Sequence, residues 1–397
     1  MLSRTASGLT GEINPLYRLR AELARRGCAI VDLISGNVTE HGIRFPQPLL
    51  EEIIVRAARR SEVYRPDPLG QQSARAAIAA YYEAQGVSVD PERIVLTPGT
   101  SVAYWYCFKL LADEGEEILC PRPSYPLFDY IARLSGVRLT HYSLDESRDW
   151  AIDLERLENS ISNATRALVL ISPHNPTGRV AAHGEIEQLA DIARRHGLAI
   201  IADEVFSEFL LAQGGLPRPA ASDAPLVITL NGFSKMFALP GIKLGWIALS
   251  GRGGPLDRAL RALELISDTF LPVSEITQAA AVEIFREGAA FLQWYRAEIV
   301  ARWQRAEEFL RRLPFCRFVR PQGGFYVTLR LEGIDEEEAC EELLREAGLL
   351  LHPGYFYDMK PHHIVLSFIQ REETMRECLP RLERTLAALA ARPRIPR

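Results

Sequence analysis

From about Pro48 onward the chain alternates short, mostly apolar runs with longer amphipathic ones. The apolar runs predict strands over Arg93–Thr97, Glu117–Cys120, Ala167–Ile171, Leu198–Ala202, Leu226–Leu230 and Lys243–Leu249. Polar and apolar positions do not alternate within them, as expected for strands covered on both faces. Between them, Ser101–Leu111, Tyr125–Leu134 and Glu185–His196 carry the helical period. Strands alternating with helices predict an α/β domain around a mostly parallel sheet. Beyond about Ser267 the texture changes. One long helical stretch, Pro272–Leu313, leads to a strand with a Gly-Gly-Phe-Tyr motif, then to strand-like runs at Leu349–His352 and Ile364–Phe368 and a final helix. This predicts a smaller α+β domain. The N-terminal segment, with a helix over Pro15–Arg26 and an extended run over Ala29–Leu33, is expected to complete it.

The length supports two cores, since 397 residues exceed the usual size of one. The expected division is 1–46 as an N-terminal segment joining the small domain, 47–285 as the large domain and 286–397 as the small C-terminal domain.

Composition removes several function classes. The net charge of −5, with both signs interspersed, argues against a nucleic-acid partner. The basic run Arg392–Arg397 is read as a solvated tail. Six cysteines, at 28, 107, 120, 316, 340 and 378, show neither CxxC spacing nor nearby histidines, so no metal site and no redox motif is expected. Cys120 and others sit in apolar runs and read as buried thiols. The N-terminus has no apolar signal region, and no apolar run approaches the ~18 residues of a membrane span. A cytoplasmic setting with no membrane contact is expected.

Candidate chemistry gathers where the strands end, which is where an open parallel sheet binds ligands. Pro98-Gly99-Thr100-Ser101 leads into a helix whose free N–H groups suit a phosphate, although Thr and Ser also cap many ordinary helices. Tyr125 follows a proline-rich loop and suits a flat ring, or simple packing. Asn175 lies in the turn cluster Ser172–Gly178 and can meet a ligand oxygen, whereas His174 reads as a solvated turn residue. Asp203 follows an apolar strand, a costly place for an acid without a partner; a protonated ring nitrogen would supply one. Lys235 ends another such strand, where burial lowers an amine's pKa and makes it a nucleophile. An amine, a buried acid, a ring-oxygen partner, a stacking aromatic and a phosphate cradle are together the parts a pyridoxal phosphate site requires.

At these residues the chain resembles the class I/II aminotransferases of the fold-type I pyridoxal phosphate enzymes. Ser172–Gly178 is similar to that family's asparagine loop, Asp203-Glu204-Val205 to its pyridinium-partner segment, and Ser234-Lys235 with Pro240–Gly245 to its Schiff-base signature. Tyr64–Gly70 and Pro321–Tyr326 match two further segments. The resemblance implies a mostly parallel seven-stranded-type sheet and pyridoxal 5′-phosphate bound as a Schiff base on Lys235. It also assigns the phosphate to Thr100, Ser101, Ser234 and Lys243, the ring face to Tyr125, the ring hydroxyl to Asn175 and the ring nitrogen to Asp203. Tyr64 would reach the phosphate of a neighbouring subunit, which implies a homodimer. Lys235 would also shuttle a proton at the substrate Cα.

Three positions depart from the pattern. Lys243 stands where the family has an arginine, so the charge is kept and the planar fork lost. Phe206 replaces a tyrosine and removes a phenol from the ring oxygen. Val365, in Val365-Leu366-Ser367-Phe368, stands where an arginine would clamp the substrate carboxylate. Arg330, Arg371, Lys360, His352 and His362 are the alternatives for that contact, but each reads more readily as an ordinary surface or strand residue, and none is singled out. The expected activity is transfer of an amino group between an amino acid and a 2-oxo acid or related carbonyl compound. The alternative is a lyase, cyclase, dehydratase or decarboxylase reaction on a modified amino acid. A sensor built on the same scaffold would normally carry an added DNA-binding segment, for which the N-terminal stretch is too short.

Overall fold

A computed structural model describes residues 1–9, 13–212, 214–251 and 254–392. The closing basic run therefore lies, beyond Arg392, outside the described residues. The chain enters through a helix over Pro15–Arg25 and a short strand, Val31–Asp32 (β1), followed by helices over Gln47–Arg60 and Gln72–Glu83. The large sheet then builds from Ile94–Thr97 (β2), Glu117–Arg122 (β3), Arg138–Asp145 (β4), Ala151–Ile152 (β5), Thr165–Ile171 (β6), Ala199–Asp203 (β7), Leu226–Gly232 (β8) and Gly245–Gly251 (β9). Its order is β2-β9-β8-β7-β6-β3-β4-β5. Strands β8, β7, β6, β3 and β4 run parallel, and β9 is antiparallel to both β8 and β2. The α/β class is as expected. Seven strands carry the sheet, and the two-residue β5 adds an eighth at its edge.

Every residue of β2, β7 and β8 is buried, because helices cover both faces. Each isoleucine or leucine so enclosed contributes roughly 1.5–3 kcal/mol. This burial holds the strand ends in a fixed row. The expected strands agree with the observed ones to within two residues at each end. The omissions are β4, whose sequence Arg138-Leu139-Thr140-His141-Tyr142-Ser143-Leu144-Asp145 is only partly buried near the sheet's edge, and the two-residue β5.

The smaller sheet consists of Cys316–Arg317 (β10), Tyr326–Leu331 (β11), His352–Pro353 (β13) and His363–Ser367 (β14), in antiparallel order β10-β11-β14-β13. Leu349–Leu350 (β12) instead pairs in parallel with β1, Val31 opposite Leu349, which attaches the N-terminal segment to the C-terminal part of the chain.

The expected single helix over Pro272–Leu313 is two helices, Glu275–Glu287 and Ala289–Leu310. The break is at Gly288, where a β-carbon would stand 2.9 Å from Phe45 and 3.0 Å from Phe237. Only a residue without a side chain lets those two rings pack there. The first of the two helices is tied to Gln47–Arg60 by the buried Glu283, which pairs with Arg56 at 2.6 Å and Arg60 at 2.6 Å.

Candidate active site

The carboxyl ends of β3, β6, β7 and β8, with the first turn of the helix Thr100–Leu111, enclose a cavity of about 140 Å³. Asp203 is the last residue of β7 and is buried. Its Oδ1 accepts the Val205 N–H at 3.0 Å, and its Oδ2 accepts the Tyr104 hydroxyl at 2.8 Å. Burial pushes its pKa up to about 6, against the pull of those two hydrogen bonds. The carboxylate is thus ionised at neutral pH while facing few compensating charges, a state that favours a cationic partner.

Lys235 lies across the cavity on the short helix Phe233–Met236 that follows β8. Its Nζ donates to the carbonyl of Gly36 at 3.1 Å and sits 5.8 Å from the ring centres of both Phe206 and Phe325. Burial lowers its pKa to about 8, so a substantial neutral fraction exists near physiological pH. Tyr326 completes this corner. A β-carbon on Gly36 would stand 2.3 Å from the Tyr326 hydroxyl and 3.3 Å from Lys235 Nζ, so backbone, phenol and amine meet in a space that admits no side chain.

Asn175 enters from the loop after β6, and its Oδ1 is buried without a hydrogen-bond partner. A buried amide end left open in this way is costly unless a ligand atom meets it. Tyr125, in the loop after β3, stands edge-on to Phe128 at 5.9 Å, and the N–H of Ser124 donates to Tyr357 at 2.8 Å. Thr100, Ser101 and Ser234 line the end of the cavity nearest the helix N-terminus. Gly99 turns the chain there at φ +129°, and Lys243, itself left-handed at φ +55°, brings its Nζ 3.9 Å from where a Gly99 β-carbon would stand. Three hydroxyls, a helix N-terminus and an ammonium form an anion-binding end.

Seven of the nine residues singled out from sequence, Thr100, Ser101, Tyr125, Asn175, Asp203, Ser234 and Lys235, therefore line one cavity, and Lys243 stands beside it. Tyr64 does not enter it. It is 69% exposed and lines a separate cleft with Leu271 and Ile276. Phe206 lines the cavity, edge-on to Phe325 at 4.9 Å. Val365 is fully buried in β14, opposite Thr328 and His352.

None of the five alternative carboxylate partners lines the cavity. Arg330 pairs with Glu146 at 3.6 Å, Arg371 lies over Gly42, and the carbonyl of Lys360 accepts from His363. His352 is held by the hydroxyls of Tyr17 and Tyr357, and His362 by the carbonyl of Ile334. His174 corrects the expectation of a solvated turn residue. The turn folds inward, because Gln322 and Gly323 donate to the carbonyl of Gly178. His174 is therefore buried beside Thr177 at 2.9 Å, with its pKa pushed down to about 3 by burial.

Sequence reasoning missed Tyr104, Gly36 and Tyr326. Tyr104 had a signal: it lies one helical turn after Thr100 and so shares its face. Gly36 and Tyr326 come from distant parts of the chain and had no local one.

The family model described as aminotransferase class I and II matches residues 30–382. The glutamate-pyruvate aminotransferase AlaA of Escherichia coli is 29% identical over 385 residues, covering 94% of this chain and 94% of the relative. The aspartate/prephenate aminotransferase of Thermus thermophilus is 30% identical over 371 residues, covering 92% and 93%. Among solved structures, an alanine aminotransferase from Pyrococcus furiosus superposes with a TM-score of 0.91 at 24% identity, covering 98% of this chain and 100% of that one, and shares its fold.

Proposed function

The chain belongs to the class I and II aminotransferase family, and on that premise we propose that it moves an amino group between an amino acid and a 2-oxo acid or related carbonyl compound through a centre built on Lys235. Its cofactor is pyridoxal 5′-phosphate. The elimination, dehydration and decarboxylation alternatives find no support in the relatives, which are named as aminotransferases.

The residues fit that cofactor. The observation that carries the proposal is the opposition, across one cavity, of an amine with pKa near 8 and a carboxylate with pKa near 6, with the open Oδ1 of Asn175 entering it from the end of the next strand, β6. Thr100, Ser101, Ser234 and Lys243 would hold the phosphate, Tyr125 the ring face, Asn175 the ring oxygen and Asp203 the ring nitrogen. Bound pyridoxal phosphate supplies an electron sink for charge that develops at the substrate Cα. Asp203 keeps a proton on the ring nitrogen, and Tyr104 holds Asp203 in place. Lys235 Nζ takes the proton from the substrate Cα and returns one to the other side of the transferred nitrogen. Phe206 and Phe325 exclude water from around the Lys235 amine, which lowers its pKa and raises its neutral fraction. With Phe206 in place of a phenol, Asn175 is the side chain left to meet the ring oxygen.

Mixing the purified protein with candidate amino acids and their carboxyl-masked or reduced derivatives should shift the cofactor's visible band to that of the amine form, and a 2-oxo acid or the matching carbonyl compound should restore it. If no donor produces the shift and no such carbonyl compound reverses it, transamination is wrong.

We further propose a homodimer. Support comes from the exposed Tyr64, which lines a cleft with the exposed Leu271 and Ile276, apolar surface of the sort that subunit contacts cover. Sedimentation equilibrium should give twice the chain mass, and a monomer at assay concentration would remove Tyr64 from the site. A division near residues 46 and 285 into a large and a small domain, and a reduced cytoplasmic setting, belong to the same proposal. Five buried free cysteines support that setting. No helix among the described residues is long and apolar enough to cross a membrane.

Gly36→Ala is expected to weaken cofactor binding about tenfold, roughly 1.4 kcal/mol, because the new methyl displaces the Tyr326 hydroxyl or the carbonyl that holds Lys235. Titration of the cofactor-free protein with pyridoxal phosphate measures it, and unchanged affinity would mean that the corner is loose.

A further inference from the structure

The corner around Lys235 also limits what the substrate carries next to its amine. The charged side chains lining the cavity are Asp203 and Lys235, and Lys235 is the residue that the cofactor takes. Other cations stand outside the cavity's lining: Lys243 lies beside Gly99 at the phosphate end, Arg371 lies against Gly42, and others are paired elsewhere. Arg330 pairs with Glu146 at 3.6 Å and Arg122 with Asp358 at 3.2 Å, while Arg302 donates to the carbonyls of His41 and Ile369. His352 lies between two phenol oxygens, and burial lowers its pKa to about 4, so it is neutral at physiological pH. No guanidinium or imidazolium among the described residues of this chain lines the corner, so a free carboxylate there would be buried without such a partner from its own chain, which is strongly unfavourable.

The corner does offer a neutral donor. Tyr326 and Thr328 of β11 stand opposite Ser367 and Val365 of β14, so all four side chains share one face of the small sheet. On that face Val365 presents only methyl groups. Tyr326 reaches the cavity with its hydroxyl beside Gly36 and Lys235 Nζ. Burial raises the phenol's pKa, so it stays protonated and can donate.

We propose that the carbon next to the transferred amine bears an uncharged oxygen function (an amide, ester or alcohol) and that the Tyr326 hydroxyl donates to it. The inference rests on the aminotransferase reading and narrows its substrate to an amino-acid derivative whose carboxyl is masked or reduced, together with the matching carbonyl compound.

The test is a visible-band titration of the holoenzyme with 2-methylalanine and with its amide. Neither has a proton on Cα, so each binds without turnover. Dissociation constants are referred to the free-amine concentration, because the amide's amine is the weaker base. The amide is expected to bind at least about tenfold more tightly than the acid. Tyr326→Phe should weaken the amide about tenfold and change the acid less than about twofold. Equal or tighter binding of the acid overturns the inference, as does an equal loss for both ligands in Tyr326→Phe. If that variant fails to fold, the wild-type ratio decides alone. Borohydride fixation in parallel separates the two levels: a label on Lys235 without amide preference sinks this inference only, and no label on Lys235 sinks the functional reading with it.

Discussion

Lys235→Ala is expected to lower the rate of amino-group transfer at least about a thousandfold, because one substitution removes both the anchoring amine and the base at the substrate Cα. Borohydride reduction of the wild-type protein followed by peptide mapping should place the pyridoxyl group on Lys235. The sequence holds four lysines, Lys109, Lys235, Lys243 and Lys360, so the map has few competitors, and a label on any of the other three would overturn the site. The pH dependence has a defined sign. The neutral amine is the nucleophile, and burial brings its pKa down to about 8. The neutral fraction is therefore about one-tenth at pH 7 and nearly complete at pH 9. Capture of pyridoxal phosphate by the cofactor-free protein should accelerate roughly tenfold over that interval and then level off. A midpoint near the ordinary lysine value would show that the pocket of Phe206 and Phe325 does not exclude water.

Asp203→Ala is expected to weaken cofactor binding by about 3–5 kcal/mol, since it leaves the cofactor's ring nitrogen buried without a counter-charge. Spectroscopic titration with pyridoxal phosphate measures the loss, and a change under about tenfold would remove Asp203 from this role. The wild-type protein should show a weaker form of the same loss on acidification. Burial has raised the carboxyl to about pKa 6, so its charge disappears from the cofactor-free protein as the pH falls through that value. Tyr104→Phe removes the hydrogen bond to Oδ2 and should move that midpoint upward.

How much was legible in advance depended on how local each signal is. Strands β2, β7 and β8 are buried on both faces, so their residues are mostly apolar. Asp203 and Lys235 stand out as the polar residues that end such runs. Asn175 and Thr100 were visible for the related reason that turn-forming residues mark the ends of β6 and β2. By contrast, β4 carries Arg138, Thr140 and His141 among its apolar residues and offers no such run. The break at Gly288 depends on Phe45 and Phe237, which are remote in sequence. Tyr326 read as one strand residue among others, because what gives it a role is the backbone of Gly36, nearly three hundred residues earlier. The exposed Tyr64 could be found only through family resemblance, since nothing in its own surroundings marks it as part of a site.

The parallel pair of β1 with β12 has a consequence for how the protein is made. Val31 finds its partner only at Leu349, close to the far end of the chain. A ribosome therefore releases every strand of the large sheet, and with them Asp203 and Lys235, before the partner of β1 has emerged. Closing so long a loop is entropically costly and slow. Gly36, whose carbonyl accepts from Lys235, therefore gains the strand pairing beside it only when synthesis is nearly finished.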